Sequence, residues 1–127
     1  MNPRNKWLKI LGYVLNALIA ALLIFAAYGK LSGSAPPEMQ EKLKEYGLEN
    51  RLQLIGLGEL TCAVLLLLPW VSPLGILMTS GFWGGVICIH LTHNEDIIAG
   101  SVFLVLTWIG GFLRGSVPLV TGGPKAT

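Results

Sequence analysis

The stretch "IGLGELTCAVLLLLPW", Ile55 to Trp70, is apolar almost throughout and yet carries Glu59. Its reading decides the fold. If the stretch is a span in a bilayer, the carboxylate must face other helices. If it is a soluble core segment, the rest of the chain must supply a polar coat. Composition favours the first. Of the 127 residues, 53% are hydrophobic and only 13% are charged, where soluble proteins carry roughly 25% charged residues. That little charge cannot cover a domain of this size, and the bilayer becomes the natural solvent. A net charge of +2, with no basic run interleaved with aromatics, leaves nucleic-acid binding without support.

Working outward from Glu59, the apolar stretch from Leu52 to Thr92 is too long for one crossing, which needs about 20 residues. "PWVSP" divides it, because Pro69 and Pro73 withhold backbone donors. The expected spans are residues 52–68 and 74–92, preceded by 8–29 and followed by 97–113. The uncharged run of the first exceeds the roughly 7–15 residues of a signal-peptide core, so a retained span is expected. The fold class is therefore all-α: one domain over 1–127, an antiparallel bundle of four transmembrane helices.

Between the first two spans lies the one long polar connection. There Met39, Leu43 and Tyr46 share one helical face. Pro37 suits a first turn and Gly47 a C-terminal stop. A short amphipathic helix over about 37–47, lying on the outer surface as a lid, is expected; a solvated loop is the alternative. Glu38 and Lys42 have the spacing of a favourable i,i+4 pair.

An even number of spans puts both chain ends on one side, with Arg4, Lys6, Lys9, Arg114 and Lys125 and no acid. Lys30, Lys42, Lys44 and Arg51 share the other side with six carboxylates. The three basic residues before the uncharged run Ile10–Gly29 of the first span place both termini in the cytoplasm of an inner or plasma membrane. Trp7 and Trp70 then mark the inner interface and Tyr28 the outer one.

Glu59 lies roughly 12 Å inside the outer boundary, counting about 1.5 Å per residue from Arg51. An intramembrane acid is expensive and marks function by default; the structural alternative is a paired carboxylate fixing helix register. Its neighbours Gly56, Cys62 and Ala63 are small and fit a helix-facing side. Lys30 and His90, from two other spans, fall at similar depth. A Lys30–Glu59–His90 network around an outward-opening pocket is the site expectation, against a Lys30 that merely snorkels to the interface and a His90 satisfied in the core. His93, beside "NED", reads as an interface residue. Trp83 and Trp108 lie within spans and are candidates to line the pocket. Asn16 shares a stripe of the first span with Ala20, Leu23, Ala27 and Lys30, and is a candidate for a hydrogen bond across the bundle or to a ligand. Gly81/Gly85 and Gly111/Gly115 have G-x-x-x-G spacing, suited to packing within the bundle or in a homodimer. No metal is expected, since no E-x-x-H pair appears. Cys62 and Cys88 read as packing residues.

"YGKLSG" (Tyr28–Gly33), "GELTCAVLLLLP" (Gly58–Pro69) and "IHL" (Ile89–Leu91), in that order and spacing, resemble the DoxX-like family of small four-helix membrane proteins. The resemblance implies a four-span bundle and carries Lys30, Glu59 and His90 as pocket residues. Some members of that family are linked to thiosulfate:quinone oxidoreduction as membrane subunits, others to redox-stress complexes. More distant ones are linked to membrane-protein assembly. Joined to the residues, it gives two functional expectations. One is a pocket for a small apolar ligand, a quinone or a lipid, in a redox-linked accessory subunit rather than an independent enzyme. The other is an assembly chaperone or partner subunit that binds other transmembrane helices.

Overall fold

The computed structural model describes residues 3–115, with side chains from Lys6 onward. Five α-helices follow one another: α1 Pro3–Ser32, α2 Pro37–Glu45, α3 Leu52–Leu67, α4 Ser72–Thr92 and α5 Ile98–Leu113. Single 3-10 turns, Glu49–Arg51 and Pro69–Val71, lead into α3 and α4. Helices α1, α3, α4 and α5 pack as a ring, each touching its two neighbours, with α1 opposite α4 and α3 opposite α5. They run alternately up and down. Gly12 near the start of α1 lies against the end of α5, and Gly75 at the start of α4 lies against the end of α3. This is the all-α antiparallel bundle that the hydropathy pattern predicts.

The apolar lengths fit a bilayer. Three stretches, Lys6–Ser32, Glu49–Leu67 and Pro69–Thr92, are long and apolar enough to cross one, and Ile98–Leu113 is a shorter apolar helix. Large apolar side chains such as Phe25, Leu18, Leu77 and Val105 point outward, as lipid-facing residues do. Trp7, Trp70 and Tyr28 are also exposed. Two boundaries differ from the sequence reading. Helix α1 continues to Ser32, so Lys30 sits inside its last turn. Pro73, expected to break a helix, lies in the first turn of α4. A proline there loses nothing, because its missing N–H would be unpaired in any first turn.

The stripe Asn16, Ala20, Leu23, Ala27, Lys30 is buried along its whole length. It meets Cys62, Ala63 and Leu66 of α3 and Ile76 and Trp83 of α4 in one core. Glycines set the closest contacts. A Cβ on Gly75 would fall 2.5 Å from the Leu66 nitrogen, and one on Gly12 would fall 2.5 Å from the Arg114 nitrogen. Of the G-x-x-x-G residues, Gly111 abuts Ile76, whereas Gly81, Gly85 and Gly115 have nothing within 4 Å of a Cβ position. The Gly81/Gly85 pair therefore does not draw these helices together.

Helix α2 caps the end of the bundle where α1 stops and α3 begins. Its predicted face is turned inward, with Leu43 buried and Met39 and Tyr46 half-buried. It ends where Gly47 takes a left-handed φ of +77°, and Leu48 N–H returns to the Leu43 carbonyl at 2.8 Å. That is the glycine-terminated stop such a position favours. The predicted Glu38–Lys42 pair is replaced by a longer-range one. Lys42 reaches Glu95, beyond the end of α4.

Candidate functional site

Between α2 and the bundle lies a cavity of about 1020 Å³. It is at the upper end of the roughly 300–1,000 Å³ usual for small-molecule sites. Its walls are mainly apolar, with Leu22, Ile55, Phe82, Trp83, Val86 and Phe103 among the lining residues. Gly81 and Gly85 also line it, and their missing side chains leave the space open rather than close a helix contact. Trp83 lies between Phe82, edge-on at 5.1 Å, and Phe103, tilted at 5.0 Å between ring centroids.

Two polar clusters face this space. At its inner side, Lys30 Nζ donates to both oxygens of Glu59, at 2.9 and 3.1 Å. The two side chains are only 7% and 4% exposed. The pair answers the question posed by Glu59: the carboxylate is offset by a buried ammonium from the neighbouring helix. Lys30 therefore does not snorkel. The register is enforced by Gly56, one turn before Glu59, where a Cβ would fall 3.0 Å from the Leu31 side chain and 3.2 Å from that of Lys30.

At the outer side, Glu95 gathers the lid. Lys42 Nζ donates to Glu95 Oε2 at 2.6 Å, and the Tyr46 hydroxyl donates to Oε1. His90 Nε2 stands 3.8 Å from the same oxygen. These hydrogen bonds, first from Lys42 and then from Tyr46, hold the Glu95 carboxyl below its ordinary range. Burial, with the bond to Glu95, pushes the Tyr46 phenol up to about 12. Glu95 hydrogen-bonding raises Lys42 as well. Local backbone chemistry delivers Glu95 to this place. Asn94 adopts φ +56°, Asn94 N–H bonds the Leu91 carbonyl, and Glu95 N–H bonds that of His90 at 2.8 Å. This is a Schellman ending of α4, with asparagine in the left-handed position that it tolerates better than most residues.

The sequence-named residues thus divide. Lys30, Glu59, Trp83 and His90 line one cavity. His90 belongs to the Glu95 cluster rather than to the Lys30–Glu59 pair. His93 lies outside the cavity, edge-on to Tyr46 at 4.8 Å, with its Nδ1 2.8 Å from the Ile89 carbonyl oxygen. Trp108 packs against the core and is not among the lining residues. Asn16 lies toward the other end of the bundle. Its amide donates to the Thr107 carbonyl at 3.2 Å, and its oxygen accepts from Arg114 at 3.1 Å. Arg114, counted from the sequence among the basic residues on the side of the chain ends, is only 4% exposed. Its guanidinium also donates to the Leu66 carbonyl at 2.7 Å and sits 4.5 Å over the Tyr13 ring. Lys125 lies outside the described residues.

Sequence reasoning missed Glu95, Lys42 and Tyr46 as site groups. The one available signal was Tyr46, a hydroxyl-bearing side chain on the apolar face of a lid. Among the described residues, no group of three or more His, Cys, Asp or Glu side chains is placed to share a metal ion. Cys62 is buried and Cys88 exposed, both as free thiols.

Comparison with known proteins places this geometry in context. The sequence model of a family described as DoxX-like matches residues 14–110, a segment containing α2, α3, α4 and every lining residue of the cavity. No curated protein and no solved structure matches the chain significantly.

Proposed function

The chain belongs to the DoxX-like family, and from that premise we propose that this small membrane protein holds an apolar ligand, a quinone or a lipid, beneath the α2 lid. The observation that carries the reading is the about 1020 Å³ cavity, apolar over most of its wall and backed by the buried Lys30–Glu59 pair. An ion pair costs desolvation energy wherever it is buried. One that also lines a chamber gives a bound molecule a polar end to meet. His90, Glu95, Tyr46 and Lys42 would close the chamber on the lid side. On this reading the protein is an accessory subunit of a redox system rather than an enzyme by itself.

On this reading the face bearing the start of α1 and the end of α5 lies in the cytoplasm of an inner or plasma membrane. Exposed Lys6 and Lys9 near the start of α1 support that orientation. The acid-rich lid is then outside.

The test is to purify the protein from native membranes and extract what accompanies it. Gly85→Phe fills the cavity from a position with nothing near its Cβ. The parent should carry about one apolar small molecule per chain, and Gly85→Phe should carry far less. Equal content in both would reject the pocket. A stoichiometric membrane-protein partner, with no small molecule, would point instead to the assembly-chaperone or partner-subunit reading.

A further inference from the structure

The cavity reaches the surface of α4 that faces lipid. Leu74, Met78, Gly81 and Gly85 recur at helical spacing and share one stripe of that helix. All four are exposed. Gly81 and Gly85 are at the same time lining residues of the cavity. One stripe cannot look out at acyl chains and into a sealed chamber. The wall is therefore open along these glycines, where nothing lies within 4 Å of a Cβ position. Ile76 and Ile87, which α4 turns toward Gly111 and Gly100 of α5, lie across the helix from them. The opening is thus on the α3 side, where Ile55 also lines the cavity.

The packing of the bundle makes room for such a slot. Away from the lid, α3 and α4 meet tightly at Gly75. At the lid end the tight glycine contacts pair the helices differently. Gly56 brings α3 onto Leu31 and Lys30 of α1, and Gly100 brings α5 onto Val86 and Ile87 of α4. The α1–α3 pair and the α4–α5 pair are free to part between these contacts. Gly85 and Glu59 each stand seven residues from the lid end of their helix, about 10 Å at 1.5 Å per residue. That depth falls among acyl chains in a hydrocarbon layer of about 30 Å. It also puts the slot level with the Lys30–Glu59 pair. The watery side is covered instead by α2, with Leu43 buried beneath it and Lys42 and Tyr46 bound to Glu95.

We propose that the ligand enters and leaves sideways, from the outer leaflet, through a slot between α3 and α4 bordered by Gly81, Gly85 and Ile55. This rests on the pocket reading above and adds the route: the lid stays shut during exchange. Gly81 and Gly85 then set what passes, because a side chain at either position stands in the slot.

The experiment uses the full chain in nanodiscs, with Cys62→Ala and Cys88→Ala and one reporter, Val86→Cys, on the cavity wall. Two thiol reagents are compared: a maleimide on an acyl chain dissolved in the bilayer, and a charged water-soluble maleimide. Each rate is normalised to a reference cysteine, Leu77→Cys on the lipid-facing surface or Lys44→Cys on the lid. The acyl maleimide should label the reporter within about tenfold of its reference. The water-soluble reagent should be at least about a hundredfold slower than its own. Gly81→Leu with Gly85→Leu should slow the acyl maleimide at least about tenfold at the reporter and leave Leu77→Cys unchanged. Glu95→Gln, which loosens the lid, should speed the water-soluble reagent and leave the acyl maleimide rate as it was. This second arm holds even if the double leucine variant does not fold. Faster labelling from water, an acyl maleimide rate that rises with Glu95→Gln, or one unmoved by the two leucines in a folded protein would overturn the slot while leaving the pocket standing. A reporter inert to both reagents would overturn both.

Discussion

Lys30 and Glu59 are the pair on which the site depends, and their energetics have a sign that single substitutions expose. With both side chains under a tenth exposed, either partner left alone is a buried charge with no counter-charge. Breaking such a pair costs about 3–5 kcal/mol, whereas replacing both members with apolar residues of similar volume is often neutral or stabilising. Lys30→Met and Glu59→Met should each lower stability by about that amount. The double variant should recover most of the loss. Reversible unfolding in mixed micelles, run as a double-mutant cycle, measures the coupling. Additive losses would mean that the two groups do not depend on one another. Arg114 follows the same logic at the opposite end. Its donors satisfy the Leu66 carbonyl near the end of α3 and the Asn16 amide oxygen, both of which would be unpaired in a low-dielectric interior without it.

Among the elements, helix packing and the lid make separable predictions. Gly75 and Gly85 lie on the same helix, but a Cβ meets backbone at the first and open space at the second. Gly75→Ala should therefore destabilise by about 1–3 kcal/mol through overpacking. Gly85→Ala should be neutral or slightly stabilising, since alanine is the better helix former. Comparing the two unfolding curves tests whether α3 and α4 touch where the geometry has them touch. The lid responds to pH through Glu95 and Tyr46. Glu95 is lowered from 4.5 by its lid partners. Its contribution to closure is complete above that ordinary value and is lost as pH falls through the lowered one. Tyr46 is raised from 10.0 to about 12, so its contribution is complete below 10.0 and is lost as pH rises through 12. Closure should hold between these limits and fail first in acid. A spin-label pair on α2 and the α4–α5 connection should report an increase in distance below pH 4.5, and Glu95→Gln should weaken the clasp at neutral pH and flatten the acid response. A distance constant from pH 7 to pH 3 would show that these bonds do not hold α2 down.

At the scale of the molecule, the alternating course of four helices puts the start of α1 and the end of α5 at the face opposite the lid. A single cysteine at Lys6 and one at Gly115, each in a background with Cys62 and Cys88 replaced, should react with an impermeant thiol reagent from the same side of sealed vesicles. A cysteine at Lys44 on the lid should react from the other side. Opposite labelling of Lys6 and Gly115 would require an odd number of crossings and a different bundle. The short α5, 16 residues or about 24 Å at 1.5 Å per residue, against the 30 residues of α1, also makes the thickness of the bundle uneven around its ring.

The amino-acid sequence alone determined which segments leave water, where they turn, and that an acid in one of them needs an answer. These are local properties: hydrophobic run length, proline and glycine punctuation, and the cost of a charge in lipid act residue by residue. The buried stripe from Asn16 to Lys30 was legible for the same reason, because helical spacing puts those residues on one side of α1. Only the tertiary structure decided who answers whom. Glu59 is matched by Lys30, 29 positions away, but His90 turns to Glu95, Arg114 folds inward onto Asn16, and Trp108 remains outside the chamber. Those choices depend on helix rotation and on the angle at which each segment ends, as with Asn94 in its left-handed turn. Rotations of a few tens of degrees and shifts of a few ångströms change partners without altering any hydropathy pattern.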